Sequence, residues 1–157
     1  MQEEDALTRV KEAIKEYDDI KMLVLKSDTS TSELAAEVLG VKTGQIAKSL
    51  CFLGDGEPFL VVSVGDRKMD AKKLGKQIGR KKVKFADALT VEAATGFSPG
   101  GVCPFALLTD IPVYLDNSLF SYDLVYAAAG TCNSIASVTP QRLKDITGAE
   151  IVDASMS

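Results

Sequence analysis

The sequence predicts an α+β fold: one curved mixed β-sheet or small barrel with helices packed outside, over a single domain spanning residues 1–157. Three observations lead there. Strand-length apolar runs alternate with helical patterns, but without the regular βαβ order of a parallel α/β protein. Capping residues and glycines punctuate the chain where helices should start and stop. The composition is 46% apolar with a net charge of −4, which suits a soluble chain long enough to bury a core without staples.

The elements can be placed in order. Leu7, Val10, Ile14 and Tyr17 recur at helical spacing, so residues 3–18 read as an amphipathic helix. Met22 to Leu25 reads as a short strand. Ser30-Thr31-Ser32-Glu33 has a capping-box pattern before a helix from Ser32 to Leu39, ended by Gly40. Ile46 to Leu53 and Phe59 to Val64 read as strands joined by a hairpin at Gly54-Asp55-Gly56-Glu57. The second is apolar on both faces and therefore central. Asp70 and Asp87 can cap helices that end at Gly79 and Gly96, with a short strand from Val83 to Phe85 between them. Ser98 to Pro104 is a loop by composition. Strands follow at Pro112–Leu115, Leu124–Ala128, Ser134–Val138 and Ala149–Val152. Thr139-Pro140 starts the last helix, and Gly148 stops it.

The chain contains no histidine, which removes Ser-His-Asp, Cys-His and HExxH chemistry. Catalysis would have to rest on Lys, Asp, Glu, backbone donors, water or the substrate's own groups. Cys51, Cys103 and Cys132 are widely spaced and odd in number, so they read as free thiols in or near the core. No apolar stretch approaches the ~20 residues of a membrane helix, and no secretory leader is visible at the acidic N-terminus. A cytoplasmic location is the expectation.

Charge is unevenly spread. Nine of the 18 Lys and Arg residues lie between Arg67 and Lys84, with Asp70 the single acid among them. Arg67, Lys68, Lys72, Lys73, Lys76, Arg80, Lys81 and Lys82 form a candidate footprint for a phosphate backbone. The other reading is a solvated helix face with a basic loop after it.

Two places can carry chemistry. In Ile46-Ala47-Lys48-Ser49-Leu50-Cys51-Phe52, strand alternation puts Ile46, Lys48, Leu50 and Phe52 on one face. An ammonium on an apolar face either meets an anion or carbonyl, or lays its stem on the core with its head in water. In Gly100-Gly101-Val102-Cys103-Pro104, glycines allow close backbone approach and the flanking prolines stiffen the segment. Such a loop can line a pocket or hold an oxyanion, or simply connect a helix to a strand.

Beyond these two, Thr31 to Val41, Gln45 to Leu50, Gly65-Asp66 with Asp70 and Lys72-Lys73-Leu74, Thr95 to Phe105, Val125 to Thr131 and Thr139 to Leu143 occur in a fixed order. Together they resemble the YbaK/prolyl-tRNA-synthetase-associated editing-domain family, over about residues 29–153, with residues 1–28 an added N-terminal helix and short strand. Gln45-Ile46-Ala47-Lys48-Ser49-Leu50 is similar to the strand bearing that family's functional lysine. Thr95 to Phe105 is similar to its glycine–proline signature, with Ala106 where glycine often follows.

The resemblance implies hydrolysis of mischarged tRNA, often tRNA for proline carrying alanine or cysteine. It implies a catalytic or orienting role for Lys48 and substrate binding by Gly100, Gly101, Val102, Cys103 and Pro104, with Ser49 and Gly130 beside them. Phe52, Val102 and Phe105 are expected as pocket walls. No metal or cofactor is expected. The expected partner is an aminoacyl-tRNA, with prolyl-tRNA synthetase or another delivery protein also a candidate. A non-catalytic tRNA-binding module and a small-molecule regulatory domain are the competing functions.

Overall fold

Mixed strand order, rather than a closed ring, organises the computed structural model, which describes residues 3–156. The elements are α1 (Glu3–Ile14), β1 (Lys21–Val24), α2 (Ser32–Leu39), β2 (Ile46–Gly54), β3 (Glu57–Val64), α3 (Ala71–Ile78) and β4 (Lys84–Phe85). They continue with α4 (Ala88–Thr95), β5 (Val113–Asp116), β6 (Val125–Ala128), β7 (Ser134–Val138), α5 (Pro140–Thr147) and β8 (Glu150–Val152). The strands run in the order β1-β7-β6-β2-β3-β5-β8, with β4 also paired to β2. The sheet has free edges at β1 and β8, so of the two expected architectures the open sheet is the one adopted. Among the described residues, no helix is long and apolar enough to cross a membrane.

Three pairings are parallel: β2 with β6, β3 with β5, and β5 with β8. The hairpin β2–β3 is antiparallel along its whole length, from Ala47 opposite Val64 to Gly54 opposite Glu57. β3 is central, as its two-sided apolar pattern requires. Leu60, Val62 and Val64 enter the main core with Val10 of α1, Val91 of α4 and Leu143 of α5. Phe59 and Val61 face the other way, with Phe52, Met69 and Leu74 of α3. A third cluster packs Ala35 and Ala36 of α2 on Ile46 and Ile135. Fully burying one such side chain is worth about 1.5–3 kcal/mol.

The capping residues of α3, α4 and α5 act as read from sequence. Asp70 accepts from Lys73 N at 3.1 Å, Asp87 from Thr90 N at 2.8 Å and Thr139 from Arg142 N at 3.1 Å. For α2 the cap is Thr31, whose hydroxyl accepts from Leu34 N at 3.2 Å. The capping box starting at Ser30 does not form: α2 runs from Ser32 as expected, which makes Thr31 the N-cap and Leu34, not Glu33, its third position. α1 is also shorter than its periodicity: it ends at Ile14 and passes into turns at Tyr17 and Ile20. The residues beyond Ile14 make tertiary contacts instead of a further helical turn. The Arg142 guanidinium lies 5.2 Å over the Tyr17 ring and pairs with Asp19 at 3.0 Å.

Asp116 ends β5 fully buried. Its carboxylate accepts from Ala154 N at 2.9 Å, Ser155 N at 3.1 Å and Ser118 N at 3.0 Å, and from the Ser118 hydroxyl. It thereby ties the C-terminal tail to the sheet. Burial pushes its pKa up, but the hydrogen bonds from Ser118, Ala154 and Ser155 outweigh this and hold it below the ordinary carboxylate value. A depressed folded pKa contributes stability that is full above the unfolded value of about 3.9 and is lost as pH falls through the folded one. Asp116→Asn should cost about 1–3 kcal/mol by setting an amide N–H₂ against donors. In thermal melts from pH 7 to pH 2, it should also show a smaller acid-side loss of stability than wild type.

Candidate active site

β2 changes neighbours part-way along its length. On one side β3 accompanies it throughout. On the other side β6 pairs only with Ile46 and Ala47, and β4 only with Phe52 and Leu53. Residues 48–50 therefore have no strand on that side, and a cleft of about 240 Å³ opens there. Its walls are the Thr29–Ser32 segment with Ala35, the β2 residues 46–50, Ala128 with Ile135, and Pro99, Gly100 and Val102 of the loop. The strand lysine and the glycine–proline segment thus line one cavity.

Lys48 is half-buried. Its ammonium donates to the carbonyl oxygen of Arg67, which leaves two of its three N–H protons for other acceptors. Burial lowers its pKa below the usual lysine value, with Lys68 adding to this, while Glu33 and Asp66 oppose the shift. Across the β2–β3 ladder from Lys48 sits Ser63, whose buried hydroxyl has no hydrogen-bond partner. The hydroxyl of Ser49, on the cleft wall, is likewise buried without a partner. An orphaned buried hydroxyl is costly, and the cost is relieved when a bound molecule supplies a partner.

The loop is held from behind. Pro99–Gly101 forms a single 3₁₀ turn closed by Gly101 N to Ser98 O at 2.8 Å. Gly101 lies so close to Gly130 that a Cβ on it would sit 2.6 Å from the Gly130 carbonyl oxygen. Gly130 N also donates to Gly101 O at 3.1 Å. Gly130, at φ +102°, is in turn pressed against Val10 and Ala6 of α1. Arg9 of the same helix closes the base of the loop. Its guanidinium donates to Thr95 O at 3.0 Å, Gly96 O at 3.2 Å and Ala106 O at 2.6 Å, and lies 4.5 Å over the Phe97 ring. Ala106 holds φ +56°, a left-handed conformation that costs a residue with a Cβ about 1–2 kcal/mol. Glycine suits that position, and here Arg9 helps fix the strained carbonyl. Sequence reasoning missed Arg9; its one local signal was an arginine on a helix face otherwise devoted to the core.

Of the expected loop ligands, Gly100 and Val102 face the cleft, joined by Pro99. Gly101 and Gly130 form its backing. Cys103 is fully buried and donates to Phe105 O at 3.5 Å; burial pushes its thiol pKa up to about 12, so it stays a neutral packing group. Pro104 lines a separate hollow with Leu107, Thr109 and Ile146. Phe105 is buried in the main core. Phe52 lies at the far end of β2, stacked at 5.7 Å on Phe59. Neither phenylalanine is a cleft wall, because each is consumed by a core cluster. Ala35, Ala47, Ala128 and Ile135 take the place assigned to them.

The basic segment divides in two. Lys72, Lys73 and Lys76 of α3 are exposed, as are Arg67, Lys68, Lys81 and Lys82. Lys72, Lys76 and Arg80 to Lys82 surround a second cavity of about 660 Å³. Arg80 also holds the fold together. It donates to Gly54 O at 3.4 Å and Glu57 O at 3.2 Å, and covers the Phe59 ring at 5.1 Å. Its place in a phosphate footprint is correspondingly reduced, because its head is already committed to the hairpin.

A family model for the aminoacyl-tRNA editing domain matches residues 26–146. The chain belongs to the aminoacyl-tRNA editing domain family. It is 39% identical to the uncharacterized protein YwhH of Bacillus subtilis, across 80% of each chain. It is 30% identical to EbsC of Enterococcus faecalis, provisionally named a Cys-tRNA(Pro)/Cys-tRNA(Cys) deacylase, over 80% of this chain and 77% of that one. A solved structure provisionally described as a trans-editing enzyme for prolyl tRNA synthetase is 33% identical, with a TM-score of 0.89 and 97% and 98% of the two chains covered. A proline–tRNA ligase of Desulfovibrio desulfuricans is 40% identical over 57% of this chain, which spans only 15% of the ligase. The family match begins after α1, so the helix that braces the editing-domain loop lies outside it.

The Gly101–Gly130 contact is testable. Gly101→Ala should overpack this backbone contact by about 1–3 kcal/mol, lowering Tm by roughly 2–12 °C in a calorimetric scan.

Proposed function

We propose that this editing domain is an aminoacyl-tRNA deacylase acting in trans, on tRNA for proline carrying a small amino acid such as alanine or cysteine. The observation that carries the proposal is the shared cleft: Lys48 of β2 and Gly100 and Val102 of the loop line one small space. The names of the similar proteins support the tRNA side of the reading. The trans-editing role provisionally given to the similar solved structure supports action in trans.

In this reading Lys48 binds the terminal ribose or phosphate by charge-assisted hydrogen bonds. Its lowered pKa reflects partial desolvation, which strengthens such contacts. The Ser49 hydroxyl gains a partner when the ester enters. Loop N–H groups meet the carbonyl oxygen as negative charge develops on it. Water attacks the carbonyl carbon, the bond to the ribose oxygen breaks, and a proton passes to that oxygen, directly or through a substrate hydroxyl. The products are the free amino acid and a tRNA with its hydroxyl restored. An activated ester held in position needs no histidine for this.

Selectivity follows from size. A cleft of about 240 Å³ floored by Ala35, Ala47 and Ala128, with Ile135 and Val102 as walls, has little room for a large side chain. Exclusion by size is the physical basis of a second sieve.

Lys48→Ala should lower kcat/KM for deacylation by roughly 10- to 150-fold, the worth of a hydrogen bond to a charged group, with its melting curve unchanged. Wild-type turnover in that variant would remove Lys48 from the reaction. Reversing Lys72, Lys73 and Lys76 to Glu should raise KM for the tRNA and flatten its dependence on salt. A salt response equal to wild type would leave the α3 face as ordinary solvated surface.

A further inference from the structure

At the far end of the open β2 edge, one aromatic ring lies in water. Phe85 of β4 is 65% exposed. It sits directly across from Phe52 in the ladder, and the two rings stack at 4.6 Å and 22°. Phe52 is itself buried against Phe59, so Phe85 rests on a fixed aromatic floor with its outer face open. Ala86 N donates to Cys51 O at 3.1 Å and pins the strand just beyond the ring.

This ring is continuous with the cleft. Phe52 and Lys48 lie on the same face of β2, four residues and hence about 13 Å apart. Leu50, between them, lines the cleft and also packs on the Phe52 cluster. The surface thus runs from ammonium through an apolar step to an exposed phenyl ring, along the edge that no strand covers. Lys81, Lys82 and Lys84 are exposed just before the ring in sequence. The nearby carboxylate of Asp87 is occupied by the N-cap of α4.

We propose that Phe85 is a stacking platform for a nucleobase of the single-stranded 3′ end of tRNA, one or two nucleotides before the residue held at Lys48. This rests on the deacylase reading and adds a binding site to it. A flat ring on a rigid support, flanked by cations, suits any base, because every base offers a π-face. An extended dinucleotide covers the distance to Lys48. The lysines beside the ring meet the phosphates, and they oppose pairing of this short edge with a second copy of the chain.

The chain has no tryptophan, so Phe85→Trp places a single indole reporter at the site. Titrating that variant with a short single-stranded RNA ending in CCA should quench its emission saturably. Phe85→Ala should bind the same RNA, followed by fluorescence anisotropy, roughly 5- to 150-fold more weakly. It should raise KM for aminoacyl-tRNA with kcat within about twofold, and Phe85→Tyr should restore both. Unchanged indole emission at RNA concentrations that saturate the anisotropy signal overturns the proposal. So does alanine-variant affinity equal to wild type, or a change confined to self-association in sedimentation. RNA binding through Phe85 without any deacylation would leave the platform standing and remove the hydrolysis instead.

Discussion

A strand that trades one neighbour for another must expose its backbone edge somewhere between them, and β2 does so over residues 48–50. This follows from chain geometry. β6 reaches β2 in parallel and supports only its first two residues, while β4 is two residues long and arrives only at Phe52 and Leu53. The gap between them is too short for another strand and open to a ligand. Because side chains alternate, the same few residues present Lys48 and Leu50 toward one face and Ser49 toward the other. The cleft is a consequence of one interrupted pairing, and Lys48 and Ser49 fall within it.

The loop that closes the cleft has almost no structure of its own beyond one 3₁₀ turn, and it is held by contacts made elsewhere. Glycine against glycine lets the Gly101 and Gly130 backbones touch. Val10 and Ala6 press on Gly130 from α1, and Arg9 collects three carbonyls at the two ends of the loop. Positioning of this kind matters for a site without strong acid–base groups, because misplacing a donor by an ångström removes much of its benefit. The brace comes from a helix outside the stretch that matches the family model.

Electrostatics divides the molecule. The chain is acidic overall, yet half its cations lie in one segment beside the α3 face. Attraction of a polyanion there and repulsion elsewhere would orient an approaching nucleic acid. Arg80 shows why charge counted along a sequence overstates a footprint, since its guanidinium closes the β2–β3 hairpin and shields an aromatic ring.

Local chemistry written in adjacent residues was legible without a structure. Asp70, Asp87 and Thr139 cap their helices, Gly79, Gly96 and Gly148 end them, and β3 is buried on both faces because its apolar run has no polar alternation. The motif order also pointed to the family, and to Lys48 and the glycine–proline loop as a pair. What needed tertiary structure was every choice that depends on distant partners. Phe52 and Phe105 were equally apolar candidates for cleft walls, and only packing shows that core clusters claim them. Arg9 and Ala106 are 97 residues apart, so no local pattern could join them. Tyr17, part of the helical pattern in sequence, likewise meets Arg142 from across the molecule instead of continuing α1. Caps and alternation act over a few residues and leave marks in sequence, whereas a cleft is space left between segments that meet only after folding.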